Sequence, residues 1–391
     1  MTTQPRRIAI NIGGGYVPGL NAVIAGTVLA ASELGWEVVG IRDGFEGLLF
    51  PERYPGGGLV SLTRETVGHL SGAAGAFLGT AARSDPFHVR SINAEHQVEE
   101  IDRSDDLLET IRRHNIEAVI SVVGSRALSI AFKLHRKGLK TVCVPKSVEN
   151  DMATTALSFG FNTALSFAVD TLDRARQAAE SSRTIGVVEV LGEQAGWLAL
   201  QAGMAVGADA VLIPEIPYDL DTVAARLRKK FQSGRTSALV VVAEGAGPRD
   251  GDAGPDRSAR GGFIQSARCR QEPRPGRVAR HRAIRPGGGD GGAAAATFDR
   301  SGGLPARSRP IGQRRPPTAV DRQLGLGYGA AAVRALNAGQ SGVMVSFQPP
   351  DLKFVPLAEA INKVRTVPAD SVFVQIARSL GISLGEIEVN R

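Results

Sequence analysis

The 391-residue chain is poor in cysteine and in unbroken apolar stretches, and it lacks the patterns of repetitive proteins. Two cysteines, Cys143 and Cys269, make neither a disulfide framework nor a zinc-binding set. Cys143 stands in the apolar run Thr141 to Val144 and reads as a buried, inert thiol, so redox chemistry is not suggested. There is no stretch of 18 or more apolar residues. No opening run joins a basic start to an apolar core and a small-residue cleavage site. A soluble, cytoplasmic protein with no membrane partner is the expectation. No internal repeat and no coiled-coil heptad is present.

Excess charge is also scarce outside one place. The net charge of +7 would ordinarily direct attention to nucleic acid or an anionic surface. Between Gly251 and Pro316, however, fourteen Arg face four Asp and one Glu, a net +9 that leaves −2 for the rest of the chain. The basic character belongs to one block, and no specific nucleic-acid partner is expected. That block, 251–316, has neither helical nor strand periodicity and is dominated by Arg, Gly, Pro and Ala, a composition that buries no core. It reads as a disordered basic insertion contacting polyanions, as an ordered lid, or as a stretch translated out of frame from a GC-rich gene. The last is favoured, because ordered-looking sequence resumes abruptly at Thr318-Ala319-Val320-Asp321.

What remains is an alternation of apolar strand-like runs with amphipathic helical runs, the pattern of parallel sheets with helical crossovers. The length suffices for two α/β domains. Strands are predicted at Arg7–Ile12, Ala118–Val123, Thr141–Val144, Ile185–Val190, Ala210–Ile213, Ala238–Ala243 and Val343–Phe347. They are rich in Val and Ile without alternation, as strands covered on both faces are. Helices are predicted at Leu20–Leu34, Asp106–His114, Ala127–Lys137, Thr163–Ala179, Gln194–Val206, Leu220–Phe231, Gly327–Ala338 and Leu357–Lys363. In the Thr163 helix, Leu165, Ala168, Val169 and Leu172 form one apolar face.

Four strand ends carry residues suited to phosphate chemistry. At Ile12-Gly13-Gly14-Gly15-Tyr16-Val17-Pro18-Gly19, a strand passes through glycines straight into a helix. Such a turn lets backbone N–H groups approach phosphate oxygens at a helix N-terminus, and it is equally the form of a plain tight turn. At Gly124-Ser125-Arg126, again between strand and helix, Arg126 is either a phosphate contact or a solvated charge. Pro145-Lys146-Ser147-Val148-Glu149-Asn150-Asp151 offers carboxylates to accept a hydroxyl proton and a cation for a transferring phosphoryl group. The fourth place is Leu191-Gly192-Glu193, after Val188-Glu189-Val190. Glu244 ends the apolar run Val240-Val241-Val242-Ala243, and Arg83 follows Gly79-Thr80.

In their order, PKSVEND, FGFNTA and GEQAGWLAL resemble the phosphofructokinase family, over roughly Arg7 to Gly245 and Thr318 to about Ala377. The resemblance implies two doubly wound, Rossmann-like α/β domains with the active site in the cleft between them. Residues 1–160, completed by part of 317–350, would bind the phosphoryl donor. Residues 161–250, completed by 351–391, would bind the sugar phosphate. It further implies transfer from ATP or pyrophosphate to fructose 6-phosphate in glycolysis, a Mg2+ cofactor, and a homodimer or homotetramer. Glu149 and Asp151 fall at the catalytic positions, Asp151 also facing the metal. Gly14, Gly15, Gly124, Lys146 and Arg83 fall at the donor, and Ser147, Leu191, Gly192, Glu244 and Arg314 at the sugar phosphate. Lys146 matches the P-K-T variant common among pyrophosphate-dependent members.

The chain departs from the family pattern at functional positions. Tyr16, Ser125 and Glu149 stand where the family has Asp, Arg126 where it has Gly, Ser147 where it has Thr, and Glu193 where it has the sugar-phosphate-binding Arg. An anion in place of that cation removes an attraction and adds a repulsion. The competing expectations are therefore a catalytically impaired homologue that senses or regulates, and a kinase for a different sugar phosphate.

Overall fold

The computed structural model describes residues 6–81, 84–92, 97–249 and 316–387. All of the Arg- and Gly-rich block except Pro316 lies outside them, as do Arg83, Cys269 and Arg314. The chain begins with β1 (Arg7–Ile12) and α1 (Leu20–Glu33), followed by β2 (Glu37–Ile41), the short α2 (Glu46–Leu49), β3 (Leu59–Leu62) and α3 (Arg64–Val67). A hairpin of β4 (Val89–Ile92) and β5 (Val98–Ile101) precedes α4 (Ser104–Arg113), β6 (Ala118–Val123), α5 (Ser125–Arg136) and β7 (Thr141–Ser147). Then come β8 (Phe159–Gly160), α6 (Phe161–Ser182), β9 (Ile185–Val190), α7 (Trp197–Ala205), β10 (Ala210–Leu212), α8 (Leu220–Gln232) and β11 (Ala238–Ala243). The last described elements are α9 (Ala319–Asn337), β12 (Val343–Gln348), β13 (Asp351–Pro356), α10 (Leu357–Ala360) and α11 (Val372–Ser379).

Two sheets carry the architecture, and both are wound on both faces, as the alternation of elements predicts. The larger runs β13-β12-β7-β6-β1-β2-β3, with β8 beside the end of β7. Its inner pairings are parallel, and the edge strands β3 and β13 are antiparallel. Ile8, Ile10 and Ile12 pack into a core shared with α1 and α9, while Ala9 packs into a second core with α4 and α5. The smaller sheet, β10-β11-β9, is wholly parallel. Leu239 and Val241 of β11 face α6 and α7, and Val240 and Val242 face α8. Continuous apolar runs form these strands because neither face meets water.

The expected strands and most helices are present, with shifts that have physical causes. The helix expected at Gly327 begins eight residues earlier, at Ala319. Gly325 and Gly329, which read as breakers, are the points where α9 lies backbone to backbone against α1. A Cβ on Gly329 would lie 2.3 Å from the Val23 carbonyl oxygen, and one on Gly26 would lie 2.2 Å from that of Leu326. The helix expected from Gln194 starts at Trp197, because the Glu215 carboxylate takes the Gly196 N–H at 3.0 Å and fixes the turn before it. Strands β4 and β5 escape the sequence reading because β5 is exposed and neither carries an apolar run. The other unexpected strands, β2, β3, β8 and β13, are short or lie at an edge.

Two groups of contacts among the described residues help tie the two sheets together. The buried Asp321 carboxylate at the start of α9 accepts the Thr163 N–H at 2.7 Å and its hydroxyl at 2.6 Å, at the first turn of α6. Burial raises the pKa of this carboxyl, and the Thr163 donors oppose the shift. Farther on, Val364 forms an antiparallel bridge with Met152, while Val367 donates to Glu215 at 2.7 Å. Among the described residues, no helix is long and apolar enough to cross a membrane.

The α1–α9 contact yields a direct check. Gly329→Ala places a methyl group against backbone that has no room to yield, and the expected loss of stability is about 1–3 kcal/mol. A thermal unfolding midpoint several degrees below that of the parent is the expected readout, and an unchanged midpoint would contradict the packing.

Candidate active site

The strand ends singled out in the sequence converge at the carboxyl edges of both sheets, where open α/β sheets bind ligands. After β1, Gly14 takes φ +83° and Gly19, at the N-cap of α1, φ +98°, backbone that favours glycine. Gly19 has no space for a side chain either, since a Cβ would lie 3.0 Å from the Phe159 ring. The loop turns under Lys146, whose Nζ donates to the Gly15 carbonyl. Lys146 sits on the buried end of β7, and burial pulls its ammonium down to about 8. At neutral pH it remains mostly charged against the glycine loop. Tyr16, in the place of an expected Asp, is half-buried, and its hydroxyl accepts the Gly75 N–H at 3.3 Å. Burial raises its pKa.

The turn after β7 is folded on its own side chains. Ser147 Oγ donates to Asp151 Oδ1 and accepts the Glu149 N–H at 3.0 Å. Asn150 adopts a left-handed φ of 58°, which Asn tolerates better than most residues. Its Oδ1 accepts the Ser158 N–H at 2.9 Å and its Nδ2 donates to the Ala156 carbonyl at 3.3 Å. Gly124 ends β6 and leads into α5, whose first residue, Ser125, reaches Asp151 Oδ2 at 3.4 Å. Asp151 is thus held by two hydroxyls, one from each neighbouring strand end.

The second sheet supplies the opposite wall. Glu149 Oε2 accepts the Glu193 N–H at 3.2 Å across the gap between the sheets. Gly192, at φ 147°, receives the Gly245 N–H on its carbonyl at 2.9 Å, and the Glu244 N–H bonds the Val190 carbonyl at 2.9 Å. Leu191 packs partly into the core of this sheet. Burial, followed by the carboxylates of Asp151, Glu244 and Glu193, pushes Glu149 up to about 7, with the Glu193 N–H opposing. Burial and Glu244 raise Glu189 as well.

Gly14, Gly15, Gly124, Lys146, Ser147, Glu149, Asp151, Gly192 and Glu244 are accordingly brought to one region. Arg83 and Arg314 lie outside the described residues. Arg365, which the sequence reading passed over, joins the same region. Its guanidinium lies 4.0 Å from the Trp197 ring centroid and donates to the Asn150 carbonyl at 3.3 Å, while its own N–H meets the Asp151 carbonyl at 2.8 Å. Glu215, also missed, anchors this strap to the start of α7. Neither residue stands in a string that carries chemistry by itself, and only the tertiary fold reveals them. Among the described residues no group of three or more His, Cys, Asp or Glu side chains is arranged to hold a metal ion. Magnesium can use one carboxylate with phosphate and water oxygens, and Asp151 fits that need.

Comparison with known proteins agrees with this fold. A family model described as phosphofructokinase matches residues 7–336. The ATP-dependent 6-phosphofructokinase of Chloroflexus aurantiacus is 36% identical over 389 residues, covering 99% of both chains. ATP-dependent 6-phosphofructokinase 3 of Streptomyces coelicolor is 34% identical over 373 residues, covering 93% of this chain and 96% of that one. Among solved structures, the pyrophosphate-dependent phosphofructokinase from Marinobacter aquaeolei shares the fold with a TM-score of 0.67 at 20% identity, over 97% of this chain and 88% of that one. The phosphofructokinase from Saccharomyces cerevisiae does so at 0.66 and 23%, over 96% and 46%. The chain belongs to the phosphofructokinase family.

The raised carboxyl of Glu149 has a cost for stability. Its ordinary value is 4.5, so the folded chain favours the protonated form, and stability is lost as pH rises from there through about 7. Glu149→Gln keeps an acceptor for the Glu193 N–H and removes the charge. It is expected to raise the melting temperature at pH 8, by up to about 3 kcal/mol in stability, and to leave it unchanged near pH 4. A variant no more stable than its parent at pH 8 would contradict the assignment.

Proposed function

We propose that the protein transfers a phosphoryl group from ATP or pyrophosphate to fructose 6-phosphate, with Glu149 as the general base. The observation that carries this reading is a carboxylate poised near neutrality, facing a second sheet, beside a buried ammonium on a glycine loop. A base is most effective when its pKa lies near the working pH, because it is then both available and strong enough to accept the hydroxyl proton. Phosphoryl transfer otherwise needs mainly positioning and positive charge. Lys146 and the N–H groups of the Gly14–Gly15 turn supply these on the donor side, and Gly124 closes the same side. Ser147, Leu191, Gly192 and Glu244 would receive the sugar phosphate, and Asp151 would hold Mg2+ together with donor phosphates and water. The metal supplies charge neutralisation on the transferring group. A place in glycolysis, a cytoplasmic location and a homodimer or homotetramer belong to the same family reading, of which the names of the relatives support the 6-phosphofructokinase activity.

Glu193 favours a second reading. Its carboxylate stands where the family pattern has a phosphate-binding cation, and it adds to the negative field that shifts Glu149. A homologue that binds sugar phosphate weakly or senses it, or one that accepts a different sugar phosphate, accommodates that change.

Coupled phosphotransfer with magnesium, offering ATP or pyrophosphate against fructose 6-phosphate, separates the readings. Turnover is expected to rise with pH through about 7 as Glu149 loses its proton, and Glu149→Gln should lower kcat by about 100- to 10,000-fold. Lys146→Met should weaken donor use far more than sugar-phosphate binding. No turnover with either donor from folded protein would move the assignment to the sensing homologue.

A further inference from the structure

Within their buried lengths, β1 and β6 are apolar except at one position each, Asn11 and Ser121. These two residues are register partners in the parallel pair, which sets their side chains next to each other on one face of the sheet. That face is otherwise apolar, since Ala9 and Val119, two residues earlier on each strand, pack into the core shared with α4 and α5. Asn11 and Ser121 are each only 1% exposed. Asn11 Oδ1 and Ser121 Oγ are buried without a hydrogen-bond partner among the described residues, and so is Ser84 Oγ. All three residues line one small cavity of about 10 Å3, whose other walls include Gly13, Val123 and the side of α5 that carries Ala127 and Ile130.

We infer that this cavity holds one structural water molecule, which joins β1, β6 and the chain at Ser84 through three hydrogen bonds. Burial, size and chemistry each lead there. A buried polar atom without a partner carries the full cost of its desolvation, and three around one space carry it together unless something bridges them. Asn11 and Ser121 do not bond each other although the register sets them side by side, so the bridge has to come from between them. The volume is that of a single water molecule and leaves no room for a larger ligand. The hydrogen-bonding capacities also match. Asn11 Oδ1 can only accept, and it takes one water proton. The second proton goes to one serine oxygen, and the other serine hydroxyl donates to the water oxygen. No polar atom of the cluster is then left over.

The position gives the water a structural use. Gly13 opens the glycine turn after β1, and Val123 directly precedes Gly124 at the turn after β6. The water therefore braces from inside the two strand ends from which these turns start, and ties them to the segment that pairs with Gly13 at Ala81.

Two measurements on the full chain test this, and neither involves turnover, so the result stands apart from the proposed activity. A high-resolution crystal structure should show one water within about 3.2 Å of both Asn11 Oδ1 and Ser121 Oγ. Well-ordered side chains with no density between them would overturn the inference. Thermal unfolding of Asn11→Leu, Ser121→Val and the double variant gives the second test. With a bridging water, each single change strands the remaining polar atom and should lower the melting temperature by at least about 2 °C. The double variant, which removes both groups, should recover much of the sum of the two losses. In a dry cavity each single change would remove an orphaned polar group and raise the melting temperature. Higher melting temperatures for the single variants, or additive losses in the double variant, contradict the water. Should a variant fail to fold, the density in the parent crystal decides alone.

Discussion

The turn after β7 places two carboxylates within reach of a third and a fourth, and like charges so arranged repel unless something holds them. The hydrogen bonds around this turn do so from every side. Ser147 and Ser125 hold Asp151, the Glu193 N–H holds Glu149, and Asn150 closes the loop onto Ala156 and Ser158. Arg365, stacked on Trp197, fastens the outer side of the same turn through the Asn150 and Asp151 carbonyls. The remaining architecture can be understood as support for these contacts. The larger sheet carries the turn, and the smaller sheet carries Glu193 and Glu244. The Asp321–Thr163 latch and the Val364–Val367 strap keep the two in register.

Holding an acidic cluster in a half-buried place raises the energy of its ionised form, and the turn uses that cost. Desolvation and neighbouring carboxylates together lift Glu149 into the range where a base both ionises and accepts protons near neutral pH. The longer side chain of Glu, compared with the Asp of the family pattern, reaches across to the second sheet and takes its N–H there. The same carboxylate therefore links the sheets and, in the proposed function, serves the acceptor. Lys146 is the counterpart, an ammonium whose burial is tolerated because the Gly15 carbonyl accepts from it.

Much of the frame is legible in the sequence, because parallel strands covered on both faces leave unbroken apolar runs such as Ala118–Val123 and Ala238–Ala243. The glycine loop and the Lys146–Asp151 turn are legible because their chemistry is contiguous. What the sequence hides has a common cause. Gly325 and Gly329 look like breakers, yet they serve a helix that must lie close to α1, and closeness is a property of two segments. Arg365 and Glu215 stand in unremarkable surroundings and acquire their roles from residues about 215 and 19 positions away. Strands β4 and β5 pair with each other at the margin of a core, against which Val89 packs while β5 stays exposed, and so leave no apolar pattern.

The account depends most on the ionisation of Glu149. A pH titration of 13C-labelled glutamate carboxyls by NMR, with Glu149→Gln assigning the resonance, measures it directly in the folded chain. The account predicts a carboxyl that titrates near pH 7, well apart from the exposed glutamates. Titration near its ordinary value of 4.5 would contradict it, since the turn would then hold an ordinary surface carboxylate and not a base set by its surroundings.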